Sequence, residues 1–136
     1  MKGLGIVLLL VLFASPAHAL SGRWITASGN LEIEIAPCGD ALCGTAVKIL
    51  NNRSMSDASV QMTGHPALGL QILRAFTPDG ENRWRGYIYD RENGKTYRCR
   101  MTLLSADQLS VRPYIGLPLF GQTQIWRRAP AVNDQN

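Results

Sequence analysis

The residues with the most reactive side chains in this chain are Cys38, Cys43 and Cys99, together with His65. Cys38 and Cys43 bracket Gly39-Asp40-Ala41-Leu42, a short turn-like segment between two β-patterned runs, and an oxidising compartment would let them pair across it. Cys99 lies between Tyr97 and Met101 on the apolar side of an alternating strand, where a buried thiol behaves as a small hydrophobe. Pairing of Cys99 with Cys38 or Cys43 is the competing arrangement, because sequence alone does not settle connectivity. By count, the cysteines and His65 make a Cys3His zinc set. No Cys-x-x-Cys spacing is present, however, so no metal is expected.

Catalytic chemistry finds little to use. There is no Gly-x-Ser-x-Gly elbow, no phosphate-binding loop and no closely spaced pair of histidines. Glu32 and Glu34 are a carboxylate pair, yet strand alternation sends both to the polar face, where solvated glutamates are the default. The expectation is a protein without catalytic residues or cofactors.

The N-terminus explains the cysteine chemistry. Lys2 supplies a positive start, Leu4 to Ala14 an almost unbroken apolar run, and Ala17-His18-Ala19 a small-x-small cleavage site, so residues 1–19 read as a secretory signal peptide. That run is shorter than the roughly 20 residues that cross a bilayer. No later stretch is apolar enough to span one, so no transmembrane segment is expected after the cut. The expected location is the periplasm or the medium, with residues 20–136 as one domain. A net charge of +4 is mild, and acidic residues such as Glu32, Asp79 and Asp90 interrupt the basic ones, so nucleic acid is not an expected partner.

From Gly22 onward the apolar period is two far more often than 3.6. Leu31, Ile33 and Ile35 alternate with glutamates. Thr45, Val47 and Ile49 continue the pattern, as do Leu70, Ile72, Arg74 and Phe76, and further runs cover Asn82 to Tyr89, Lys95 to Leu104, Gln108 to Tyr114 and Gln122 to Arg128. Turn signals at Ser28-Gly29-Asn30, Pro78-Asp79-Gly80, Glu92-Asn93-Gly94 and Ser105-Ala106-Asp107 separate them. With Gly22 to Thr26 this predicts an all-β domain of about eight strands, a closed or nearly closed antiparallel up-and-down barrel that hides its edges. The polar stretch from Asn51 to Ala67 breaks the rhythm between strands 3 and 4. It reads as a long loop or a short helix over Ser56 to Met62, capped by Ser56 or Asp57 and lying across one mouth.

The ends of the chain hint at closure. Gly22-Arg23-Trp24 opens the first strand and Trp126 with Arg128 closes the last, so Arg128 can stack on an indole where the two strands meet. This arrangement resembles the lipocalin-like, or calycin, superfamily. The segments Cys38 to Gly44, Leu68 to Leu73, Gly86 to Asp90 with Asn93 to Tyr97, and Tyr114 to Gly116 through Gly121 to Arg128 are similar to the domain of unknown function 2147 family. The resemblance implies a small exported bacterial protein of lipocalin-like fold with no assigned ligand. Pro113 departs from the glycine that family pattern leads one to expect before Tyr-Ile-Gly, and Asn51 to His65 lacks an Asp-x-x-Asn-Pro pattern.

If Leu31, Ile33 and Ile35 face inward, hairpin logic also turns inward Val47, Ile49, Ile72, Phe76, Trp84, Ile88, Tyr97, Met101, Leu109, Val111 and Trp126. The candidate cavity lining is Ile33, Ile49, Ile72, Arg74, Phe76, Trp84, Ile88, Tyr97, Met101 and Val111, with Tyr97 or Arg74 as polar anchor at a mouth. The expected partner is a small apolar or amphipathic molecule such as a lipid or fatty acid. Eight strands can equally enclose a solid core. In that case the outer face would do the work, with Arg83, Arg85, Arg98 and Arg100 meeting an anionic envelope partner beside Tyr87 and Tyr89. Inhibition of lysozyme, another task of small exported barrels, is disfavoured by the positive charge.

Overall fold

Alternating short runs joined by tight turns leave each strand one natural partner, its neighbour in sequence, and the computed structural model has that order. It describes residues 3, 5–9, 16–51, 55 and 66–131. The strands are β1 (Gly22–Ile25), β2 (Leu31–Cys38), β3 (Ala41–Ile49), β4 (Gln71–Pro78), β5 (Arg83–Asp90), β6 (Lys95–Ser105), β7 (Gln108–Tyr114) and β8 (Gln124–Arg128). Each pairs antiparallel with the next, and β8 pairs with β1 through Trp24 opposite Arg128, so the sheet is a closed eight-stranded up-and-down barrel. A helical turn, α1 (Pro16–Leu20), precedes the barrel, and a 3-10 turn, Pro118–Phe120, lies between β7 and β8. No helix among the described residues is long and apolar enough to cross a membrane. The bond Ala19–Leu20, where the leader is expected to end, falls within α1, and Leu20 is buried in the barrel core. The expected helix over Ser56 to Met62 lies outside the described residues.

Up-and-down order sorts the connections by parity. The β2–β3, β4–β5 and β6–β7 turns share one end with the chain segment entering β1 and the segment leaving β8. The β1–β2, β3–β4, β5–β6 and β7–β8 connections share the other. The first end is closed. Trp24, Trp84 and Trp126 are at most 1% exposed there, and the Trp24 indole N–H donates to the Leu20 carbonyl at 2.9 Å. The Arg128 guanidinium stacks 4.2 Å from the Trp24 ring centroid and donates to the carbonyls of Ala106 (2.7 Å), Ser21 (3.0 Å) and Ala19 (2.9 Å). One side chain thus ties three chain segments together.

The inward phase of β3 differs from the expectation. Cys38 pairs with Ala41 across the tight turn and Ile35 with Gly44, so Leu42, Gly44 and Ala46 face the core and Val47 does not. Beyond a register shift between Glu32 and Ile33, Ile49 stands opposite Leu31, but as the last residue of β3 it is 43% exposed. On β4 the inward residues are Leu73 and Phe76, because a register shift and a positive φ of 59° at Ala75 absorb one residue. Ile72 is buried but one place off that phase, and Arg74 is exposed opposite Tyr87. Bulges shift a period of two by one residue, which alternation alone does not reveal. Two core glycines make room for large neighbours. A Cβ on Gly44 would sit 2.8 Å from a Leu73 methyl, and one on Gly86 would sit 2.7 Å from the Phe76 ring.

Cys38 and Cys43 form a disulfide, with Cα atoms 5.8 Å apart. Two of the three thiols counted toward a zinc set are therefore unavailable as ligands. Cys99 is free and buried; desolvation pushes its thiol up to about 12.

Candidate functional site

At the open end the tight connections cannot supply the bulk that the three indoles supply below. On the β1–β3 side a buried polar network seals the barrel: Thr26 Oγ1 donates to Asn30 Oδ1 at 2.5 Å, the Leu31 N–H donates to Thr26 Oγ1, and the Leu50 N–H donates to the Asn30 carbonyl at 2.8 Å. On the opposite side a cavity of about 350 Å³ opens among β5, β6, β7 and the two connections between them and β8. Ile88, Tyr97, Pro113 and Ile115 supply apolar and aromatic walls, Met55 contributes from the β3–β4 connection, and Asp90, Arg91, Glu92, Gln122 and Gln124 supply polar groups. The volume falls near the lower end of the roughly 300–1,000 Å³ typical of small-molecule sites.

Local chemistry fixes these side chains. The β5–β6 connection closes through the Gly94 N–H donating to the Asp90 carbonyl at 2.8 Å, with Gly94 at a φ of 71°. The Glu92 N–H donates to the Asp90 carboxylate and the Lys95 N–H to the Asn93 side-chain oxygen, each at 2.8 Å. Asn93 Nδ2 also donates to the Tyr97 hydroxyl at 2.8 Å, which holds that ring at the rim. Arg91 is only 8% exposed, and burial lowers its guanidinium from the ordinary value, although arginine keeps its charge in proteins. On the other lip Gly121 lies against the Pro113 carbonyl so closely that a side chain there would collide with it.

Of the residues expected to line a cavity, Ile88 and Tyr97 are brought to it. Ile33, Ile72, Phe76, Trp84, Met101 and Val111 are buried in the packed core. Ile49 is exposed, and Arg74 lies on the outer surface of β4 instead of at a mouth. Arg91, Pro113, Ile115, Gln122 and Gln124 were not singled out from sequence as cavity residues. They sit in or beside connections, where no periodicity marks them. Parity of the connections was the available signal, since it places residues 91–94 and 115–123 at one end.

The outer arginines also separate. Arg83 donates to the Asp79 carbonyl at 2.7 Å in the β4–β5 turn, at the closed end, so it is not part of a common patch. Arg85 and Arg100 stand opposite each other, as do Tyr87 and Arg98.

The family model described as an uncharacterized protein conserved in bacteria (DUF2147) matches residues 22–128, from the first strand to the last. The chain belongs to this family. No curated protein matches this DUF2147 member. Among solved structures it is similar to Protein HP1028 from the human pathogen Helicobacter pylori, which is described as belonging to the lipocalin family. The TM-score is 0.65 at 16% identity, over 82% of this chain and 84% of that one. The closed eight-stranded barrel of this DUF2147 member is thus lipocalin-like in fold.

Proposed function

We propose that this protein is an exported, non-catalytic binder of a small amphipathic molecule, held at the open end of the barrel and not through its full depth. The observation that carries the reading is the mixed cavity of about 350 Å³ at the end of an otherwise filled barrel. Its walls suit an apolar body against Ile88, Pro113 and Ile115. Its polar groups suit a hydrogen-bonding or anionic end held by Arg91, Tyr97 and Gln124, with the carboxylates of Asp90 and Glu92 also on the lining, so that an anionic end must sit on the Tyr97 and Gln124 side of Arg91. Lipocalin-like folds lend themselves to ligand binding within the barrel, which supports the general class but not a ligand. A short-chain fatty carboxylate combines the two required halves.

The reading is tested by displacing a fluorescent fatty-acid probe with carboxylates of increasing chain length and with their methyl esters. Carboxylates should compete better than esters, and Arg91→Leu should remove most of that preference, a loss of roughly tenfold. Ile88→Glu should abolish uptake of both. If no probe or carboxylate saturates the protein, or if Ile88→Glu binds as the parent does, the reading is wrong.

A further inference from the structure

Antiparallel register aligns the outward residues of β5, β6 and β7 in two adjacent rows: Arg85, Arg100 and Arg112, then Tyr87, Arg98 and Tyr114. Like charges directly opposite each other are destabilising in a sheet. The ion pairs among the described residues join Arg23 to Glu32 and Glu34 and Arg83 to Asp79; none relieves Arg85, Arg98 or Arg100. A cleft of about 250 Å³ lies over this face, lined by Thr77, Arg85, Gly86, Tyr87, Arg98 and Tyr114, with no carboxylate among them.

Arg112 has a different task. Its guanidinium donates to the Pro118 carbonyl at 2.6 Å, to Thr123 Oγ1 at 2.6 Å and to the Leu119 carbonyl at 3.4 Å. These bonds fold the β7–β8 connection back beside the cationic rows. The connection presents Ile115, Leu117 and Leu119, which are 72%, 61% and 79% exposed. Tyr114 borders both the cleft and this apolar turn.

We propose that this face docks on an anionic lipid surface, with Ile115, Leu117 and Leu119 entering the apolar boundary of the bilayer and Arg85, Arg98 and Arg100 meeting phosphate head groups. Three large apolar side chains exposed on one tethered turn mark an interaction site. Leu117 and Leu119 project into solvent and line neither the cavity nor the cleft, a shape that enters a soft apolar layer and offers little to cradle a protein segment. The single sign of charge beside them complements anionic lipid, and the amphipathic rings of Tyr87 and Tyr114 suit the head-group level. Ile115 and Tyr114 also border the cavity, so docking would turn the mouth toward the lipid. That consequence rests on the binding proposed above; the docking does not.

The test is co-sedimentation of the full chain with phosphatidylcholine vesicles, with and without phosphatidylglycerol, at low and high salt. Parent and variants are compared side by side, so that any contribution of the N-terminal apolar run is common to all. The parent should bind anionic vesicles and release them as salt rises. Replacing Arg85 and Arg98 by Gln should weaken binding about fivefold for each arginine removed. The double variant L117S/L119S should lose most binding, while its thermal melt stays that of the parent because both positions are exposed. The proposal fails if neutral and anionic vesicles bind alike, if L117S/L119S binds as the parent does, or if an acidic protein is captured while vesicles are ignored. Vesicle binding without ligand uptake would overturn only the preceding proposal, and the reverse would overturn only this one.

Discussion

At the closed end the barrel is filled by Trp24, Trp84 and Trp126, and Arg128 bonds three segments over it; at the open end the same strands carry Ile88, Tyr97, Pro113 and Gln124 around a cavity of about 350 Å³. Strand number is the same at both ends, so the difference comes from side-chain volume and from the connections. Below, three short turns, the three indoles and one guanidinium close the barrel. Above, Met55 and the β5–β6 and β7–β8 connections line the cavity instead of filling it. Stability should therefore concentrate at one end and ligand capture at the other, a division that rigid barrels allow because each strand reaches both.

The largest expected effect belongs to Trp24. Trp24→Ala should cost about 3–5 kcal/mol in chemical denaturation, from lost burial and a cavity that the barrel cannot close. Tyr97→Ala, at the rim, should cost less than half as much. Equal losses would erase the contrast between the ends. Next is the disulfide: changing Cys38 and Cys43 together to Ser should lower stability by about 2 kcal/mol, the value expected for a short closed loop. It should leave carboxylate binding at the distant mouth unchanged in the displacement titration.

Cys99 gives a pH signature of the buried interior. Burial pushes its thiol up to about 12 in the folded state, above the ordinary value of 9.0 in the unfolded chain, so the folded form retains a proton that the unfolded form releases. Stability must fall as pH rises above 9, by about 1.4 kcal/mol at pH 10 from this group. Denaturation curves of the parent and Cys99→Ala across that range should converge by this amount, and parallel curves would contradict the burial. The smallest effect is expected at Trp84, whose indole N–H has no partner among the described residues. Trp84→Phe removes that unmatched donor and should cost less than Trp24→Phe, which loses the bond to the Leu20 carbonyl. Paired thermal melts decide between them.

Most of the fold was legible because it rests on the period of two and on turn residues, both local signals. Asn93-Gly94 and Gly39-Asp40 marked hairpins, and Trp24 with Arg128 marked the closure. The phase of β3 and β4 was not legible: the pairing of Gly44 with Ile35 turns Val47 away from the core, the bulge near Ala75 leaves Arg74 exposed on the outer face, and Ile49, opposite Leu31, is exposed at the end of its strand. The site was read less well for a related reason. Alternation identifies what points inward, and inward residues here mostly fill the core. The cavity depends on where packing stops, and the groups that decide it, Arg91 and Gln122 among them, belong to connections whose composition marks only a turn.

The central claim, that the open end holds a small amphipathic molecule, is tested most directly by native mass spectrometry of the protein taken from its producing cells without added ligand. The account predicts a discrete adduct that survives gentle desolvation, disappears on denaturation and is depleted in Ile88→Glu. Solvent extraction should release a molecule with one apolar and one polar end. A bare protein mass under the same conditions, unchanged after exposure to fatty carboxylates, would contradict it.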